Sequence, residues 1–282
     1  GFGPWGQSST SVSLRIWNQM NYGQDLIYGP RGGGIYYWSA SAATPLSVRG
    51  VALNSLGGTV TMTIASPCVV TASILLTEGA AVSFSTTGAL PTGITAGTTY
   101  YAYQVDGLTF KLLTAAGAVV NTSGVQSGTQ SMTLVDVPTV QNVLTISDTS
   151  RFVFAMGCND YASATLDPML IRWSNQNDVY NWTPDATNQA GSVRLSHGSQ
   201  IITAIQTRQE IVVLTDSSVY SLQYLGPPYV WGSQLLGDNI SITGPNAVAQ
   251  ANNVVYWMGV DKFYMYDGRV QTLNCDLRRY VF

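Results

Sequence analysis

The chain is 282 residues long, 45% hydrophobic and only 10% charged, with a net charge of −3. Ten of its twelve cations are Arg and thirteen of its fifteen anions are Asp; with so little Lys and Glu to coat an exposed helix face, long solvent-facing helices are excluded. The acidic balance argues against a protein that grips nucleic acid by neutralising phosphates, and a lone histidine, His197, leaves little scope for imidazole-based metal or acid–base chemistry.

Taken in chain order, the first clear element is a hairpin: Asp25-Leu26-Ile27-Tyr28 and Gly34-Ile35-Tyr36-Tyr37-Trp38 flank the turn Gly29-Pro30-Arg31-Gly32-Gly33. From 54 to 136 the composition shifts to Thr, Ser, Gly, Ala and Val, with Glu78, Asp106, Lys111 and Asp136 its charged residues. Strands are expected there at 59–64, 68–76, 81–85, 98–105, 109–113 and 130–135, and Asp106-Gly107 between two alternating runs is a strong hairpin signal. This segment predicts a small Ig-like β-sandwich inserted into a loop, which chain entropy tolerates.

The strand–turn–strand unit then returns three times. Its copies are Met169-Leu170-Ile171-Arg172-Trp173 with Asp178-Val179-Tyr180-Asn181-Trp182, Ile211-Val212-Val213-Leu214 with Ser218-Val219-Tyr220-Ser221-Leu222, and Val254-Val255-Tyr256-Trp257 with Lys262-Phe263-Tyr264-Met265-Tyr266. Each second strand carries a tyrosine, Tyr36, Tyr180, Tyr220 or Tyr264, and the last three are 40 and 44 residues apart. A period of about 40–45 residues with several short strands per unit predicts β-propeller blades.

The expectation is an all-β chain: an N-terminal blade over 1–53, the inserted sandwich over 54–136, and further blades over 137–282. Trp173, Trp182 and Trp257 are expected between blades, with Trp182 and Pro184 fixing a connection. Four blades are fewer than closed propellers commonly have. The sequence also starts without Met and stops at Phe282 in an apolar stretch, so a partial propeller from a longer polypeptide is expected.

Motifs for chemistry fail on context. Gly1-Phe2-Gly3-Pro4-Trp5-Gly6 matches a dinucleotide fingerprint but follows no strand and opens no helix. His197 sits in the turn Leu195-Ser196-His197-Gly198-Ser199, and no G-x-S-x-G elbow accompanies it. The aspartates fall mostly at turns, where Asp caps its own backbone; no calcium loop appears, and no sialidase box supports a carboxylate-pair glycosidase. Cys68, Cys158 and Cys275 are far apart and form no CxxC pair. The expectation is a protein with no catalytic set, no cofactor and no metal.

One stretch carries a resemblance. Arg172-Trp173-Ser174-Asn175-Gln176-Asn177-Asp178-Val179-Tyr180-Asn181-Trp182-Thr183-Pro184, followed by Asn188-Gln189-Ala190-Gly191-Ser192, is similar to the tail nozzle proteins of short-tailed phages, a family that includes the packaged-DNA stabilisation proteins. Their pattern is a strand, S-N-x-x-D…W-T-P, then N-x-A-G-x-x-x-L. Similar stretches occur at Asn21-Tyr22-Gly23-Gln24-Asp25-Leu26-Ile27, Gly33-Gly34-Ile35-Tyr36-Tyr37-Trp38, Ser217-Ser218-Val219-Tyr220 and Gly244-Pro245-Asn246-Ala247. The resemblance spans roughly residues 12–45 and 140–275 and carries no catalytic signature. In the insert, 86–93 and 96–101 look like a β module of many phage structural proteins.

The resemblance implies a propeller-based ring subunit of the virion tail, usually a hexamer, that retains and ejects double-stranded DNA through its lumen without reading sequence. Implied partners are other tail proteins, such as the adaptor and tail fibres, and the host cell surface. Candidate gates of such a conduit are Gly- and Pro-bearing connections, because Gly permits the backbone changes that opening needs: Gly29, Pro30, Arg31, Gly32 and Gly33; Gly226, Pro227 and Pro228; Gly237 and Asp238. An acidic conduit repels phosphates. The competing reading is a propeller-type binding module for a carbohydrate or protein partner.

Overall fold

The computed structural model describes residues 15–40, 49–55, 58–161, 163–276 and 278–282. The glycine match at 1–6 and the first part of the expected N-terminal unit lie outside the described residues. Among the described residues the chain is all-β apart from short helical turns, and forms four four-stranded antiparallel sheets and one closed six-stranded barrel.

Sheet 1 comprises β1 (Trp17–Tyr22), β2 (Asp25–Pro30), β3 (Tyr36–Trp38) and β4 (Val51–Ala52) in that spatial order. The chain then passes a single 3-10 turn, Leu53–Ser55, into the barrel strands β5 (Thr59–Met62), β6 (Val69–Thr71), β7 (Ala81–Thr86), β8 (Thr99–Asp106), β9 (Thr109–Leu113) and β10 (Gln130–Leu134). Sheet 2 follows with β11 (Gln141–Ser147), β12 (Phe152–Asn159), β13 (Leu166–Trp173) and β14 (Gly191–Arg194). Sheet 3 is β15 (Ile201–Gln206), β16 (Glu210–Thr215), β17 (Ser218–Gly226) and β18 (Val230–Asp238). Sheet 4 is β19 (Val248–Ala251), β20 (Val254–Met258), β21 (Phe263–Tyr266) and β22 (Val270–Leu273), after which one helical turn, α1, covers Arg278–Val281.

The insert corrects the sequence expectation. It is a closed barrel in the order β10-β5-β6-β9-β8-β7, where an Ig-like sandwich was expected. Gln130 of β10 pairs with Val60 of β5 on one side and with Thr86 of β7 on the other, which closes the sheet on itself. Val82, Phe84, Tyr100, Ala102, Phe110, Leu112 and Met132 fill the interior and alternate with outward residues. Alternation of period two reads the same for a sandwich and a small barrel, so the sequence could not separate them. The Asp106-Gly107 turn does join β8 to β9, with Gly107 at φ +59°.

The second copy of the repeated unit is also corrected. Tyr36, Tyr220 and Tyr264 lie in β3, β17 and β21, the third strands of their sheets, but Tyr180 lies in the loop between β13 and β14. The third strand of sheet 2 is β13 itself, so the sequence reading was displaced by one strand. The 40-residue spacing from Tyr180 to Tyr220 does not connect equivalent positions.

The sheets stack in chain order, with β1 against β11, β11 against β15, and β15 against β19. Their packing divides the core. On β12, Val153 and Ala155 join the cluster shared with sheet 1 and the barrel, whereas Phe152, Phe154 and Met156 join the cluster shared with sheet 3. On β16, Ile211 and Val213 face sheet 2, and Val212 and Leu214 face sheet 4. Every residue of β12 is consequently buried, as expected for a strand covered on both faces.

Candidate functional surfaces

The first candidate loop is tied down. Gly29 and Pro30 are the last residues of β2, so the turn itself is 31–35. Gly32 donates its N–H to Gln141 O at 2.7 Å, and the Gln141 N–H returns to Gly33 O at 2.9 Å. Arg31 reaches further: its Nη1 donates to Ile202 O at 2.7 Å and Asn142 O at 3.3 Å, and its Nη2 to Ile201 O at 3.4 Å. One guanidinium thus fastens sheet 1 to the first strands of sheets 2 and 3. Its charge is met by carbonyl oxygens, and partial burial lowers its pKa from the usual arginine value.

The other candidates differ from each other. Gly237 and Asp238 close β18, paired with Val219 and Ser218, so they belong to a strand and not to the loop that follows it. Gly226 ends β17, and Pro227 and Pro228 form the exposed tip of the long β17–β18 hairpin. Beside them Leu225 and Tyr229 are 59% and 77% exposed. Trp231, just inside this tip, anchors the hairpin: its ring meets Phe154 edge-on at 4.9 Å and Phe152 at 5.6 Å.

The expected structural motif is an ordered loop between β13 and β14. Asn175 receives Gln189 N–H on its side chain at 3.0 Å and donates its own N–H to Asn181 O at 2.8 Å. Trp182 is fully buried and donates Nε1–H to Val179 O at 2.8 Å, while Trp173 donates to Gln189 O at 2.9 Å. Trp182 packs in the cluster of sheets 1 and 2 and the barrel, Trp173 between sheets 2 and 3, and Trp257 between sheets 3 and 4. Pro184 is exposed; the neighbouring Thr183 makes the connection instead, donating Oγ1–H to Asp136 Oδ2 at 2.8 Å.

The same loop docks the barrel. Asn181 donates to Thr77 Oγ1 at 2.9 Å, and Thr77 in turn donates to Asp178 Oδ2 at 2.7 Å. Burial raises the Asp178 carboxyl above the ordinary carboxylate range, against the lowering pull of Thr77 and the Tyr180 and Asn181 N–H groups. Arg172, buried, donates to Asn159 O at 3.0 Å and to Asp136 O, with its guanidinium 3.9 Å from the Tyr161 ring centroid. Sequence reasoning missed both Arg31 and Arg172 as structural ties, because neither carries an acidic partner at a readable spacing.

The first strands of the four sheets, β1, β11, β15 and β19, contain no Asp, Glu, Lys or Arg. Among the described residues, each end sheet has one face against which no other sheet packs. On sheet 1 this face carries Trp17, Tyr28 and Tyr36, with Trp17 and Tyr28 at 6.2 Å and Tyr28 stacked on Tyr36 at 5.5 Å. On sheet 4 it carries Tyr256, Met258, Phe263 and Met265, opposite in register to the inward Val255, Trp257, Tyr264 and Tyr266, with Phe282 of the C-terminal turn packed on Phe263 at 5.1 Å.

Groups with chemical potential are used structurally. The His197 Nδ1 lies 3.0 Å from the hydroxyl of the neighbouring Ser196, and the His197 backbone N–H donates to Tyr220 OH at 2.7 Å. The nearby Asp216 accepts from Ser199 N–H and Oγ–H at 2.8 and 2.6 Å, so no Ser–His–Asp relay is assembled. Burial pushes the Cys158 thiol up to about 12, which removes its nucleophilic form. Among the described residues no three His, Cys, Asp or Glu side chains come together as a metal site. No protein-family model and no curated protein matches the chain.

Proposed function

We propose that the four sheets are consecutive blades of a propeller, and that the protein is a structural subunit of a phage tail nozzle. In this reading it works as a ring of copies, usually six, that retains and passes double-stranded DNA, in contact with the adaptor, the tail fibres or the host surface. The observation that carries the reading is the pair of aromatic-bearing outer faces on the end sheets, which no other sheet covers among the described residues. Sheets 2 and 3 pack on both sides, while among the described residues sheet 1 presents Trp17, Tyr28 and Tyr36 beside the polar Gln19 and Asn21, and sheet 4 presents Tyr256, Met258 and Met265. Such faces mark surfaces that are covered in the working assembly.

The treatment of cations supports a conduit that DNA does not stick to. Arg31 and Arg172 spend their guanidinium groups on carbonyls, Arg151 lies over the Tyr22 ring at 4.8 Å, and Arg194 and Arg278 pair with Asp167 and Asp261. Five of the twelve cations are engaged in this way, and the acidic net charge further disfavours a continuous track for phosphates. The gate is assigned to the exposed β17–β18 tip in preference to the pinned 31–33 turn.

The test combines mass measurement and negative-stain imaging of the purified protein with DNA titration across a salt series. A ring with weak DNA binding is expected. A monomer at high concentration, or binding with a steep salt slope, would overturn the conduit and favour a propeller-type binding module.

A further inference from the structure

On the barrel wall, β8 turns Tyr101 and Tyr103 outward while Ala102 between them is buried in the core. Cross-strand pairing sets Leu113 of β9 opposite Tyr101, and Lys111 opposite Tyr103. A wall facing water is expected to be polar at such positions; this one is an aromatic and aliphatic platform. The 183–188 loop faces it with Asp185 and Thr187, and Glu78 closes one end, so that a groove of about 550 Å³ results. That volume is typical of small-ligand sites, roughly 300–1,000 Å³. Gly79 sits where the two walls meet: its φ of +79° favours glycine, and a Cβ there would rest in ordinary contact, 3.4 Å from the Asp185 Cβ.

The polar groups around this platform are free to receive a ligand. Neither the Tyr101 nor the Tyr103 hydroxyl has a hydrogen-bond partner among the described residues. Glu78 uses Oε1 to accept from the Val105 N–H at 2.8 Å, which leaves Oε2. Asp185 uses Oδ1 to hold Thr187 N–H and Oγ1–H at 2.9 and 2.7 Å, which leaves Oδ2.

We propose that this groove binds a neutral saccharide. A sugar ring offers an apolar C–H face for the tyrosines and a rim of hydroxyl donors for the two open carboxylate oxygens. The carboxylates repel phosphates and acidic sugars. Lys111, beside Tyr103 with its Nζ 2.5 Å from Gln104 Oε1, offsets the negative field that a cationic guest would require. The proposal does not depend on the ring reading, since a single copy contains the whole groove.

The experiment is saturation-transfer NMR and calorimetry on the intact chain with maltohexaose, cellohexaose and chitohexaose, and with choline and arginine as cationic probes. At least one oligosaccharide is expected to bind in the millimolar range or tighter. Tyr101→Ala and Tyr103→Ala should each weaken it roughly tenfold with an unchanged melting curve, whereas Tyr103→Phe keeps the stacking face and most of the affinity. Absence of a saccharide signal at ~10 mM ligand, binding that survives the double alanine variant, or tighter binding of choline or arginine would each overturn the proposal.

Discussion

The middle sheets and the end sheets are built from the same strand–turn–strand unit but stand in opposite environments. In sheet 2, consecutive residues of β12 enter two different cores, and all eight are buried. In sheet 4, β20 alternates strictly, with Val255 and Trp257 inside and Tyr256 and Met258 outside. The outside set is still apolar. The difference teaches that, among the described residues, the end sheets carry apolar side chains on a face that no other sheet covers; in the ring proposed above, neighbouring copies would cover it.

The comparison is sharpest at its largest expected effects. Phe154→Ala in β12, or Trp182→Ala in the docking loop, should cost roughly 3–5 kcal/mol in urea unfolding, as buried aromatic truncations do. Tyr256→Ala, on the open face of sheet 4, should cost under about 1 kcal/mol in the monomer yet abolish self-association measured by sedimentation. Equal losses of stability at Phe154 and Tyr256 would erase the distinction between the sheets.

A middle-sized effect is expected at the ties. Arg172→Leu strips charged donors from the Asn159 and Asp136 carbonyls and should cost about 2–3 kcal/mol. Arg31→Ala should cost less, because the site is half-exposed, and should raise hydrogen exchange at Ile202 and Asn142, where sheets 2 and 3 meet sheet 1. Excising 58–135 with a short linker tests the barrel: it removes Thr77 and Glu78 from Asn181 and Asp178, so sheet 2 should lose more protection than sheets 3 and 4.

Smaller still is the response to pH. The Asp178 carboxyl has a folded pKa above its unfolded value of 3.8, so the folded state binds its proton more tightly. Its contribution favours folding below the unfolded pKa and is lost as pH rises through the folded one. Stability in urea should therefore fall across that window, and Asp178→Asn should flatten the fall. Asp167, held low despite some burial by Arg194 and the Met169 N–H, acts in the other direction and loses its stabilisation as pH drops. With Arg194 exposed and Asp167 partly so, their pair should be worth only about 0.2–1 kcal/mol, measured by a double-mutant cycle.

Much of this was legible in the residues, for reasons that can be named. Alternating apolar runs bounded by turns located β16, β17, β20 and β21 closely, because sheets 3 and 4 are regular meanders with short hairpins. The scarcity of Lys and Glu announced a chain without long helices. The copy around Tyr180 was misread, because Asp178-Val179-Tyr180-Asn181-Trp182 has the polar–apolar alternation of a strand. Its side chains, however, are held by Thr77 and by the Val179 carbonyl. Of the candidate gates, the glycines near Arg31 had turn chemistry, but nothing local indicated that the loop would be bonded to Gln141, 110 residues downstream of Arg31.

The sequence by itself determined the all-β class, the position of most strands and the segment from which the barrel is made. These depend on local periodicity and turn chemistry, and both are written within a few residues of each site. The tertiary structure alone decided that the insert closes as a barrel, that Arg31 and Arg172 are ties, and that Tyr101 and Tyr103 line a groove with Asp185. Each of these depends on which distant strands become neighbours. The side-chain period of two says which residues share a face; it does not say what that face will meet.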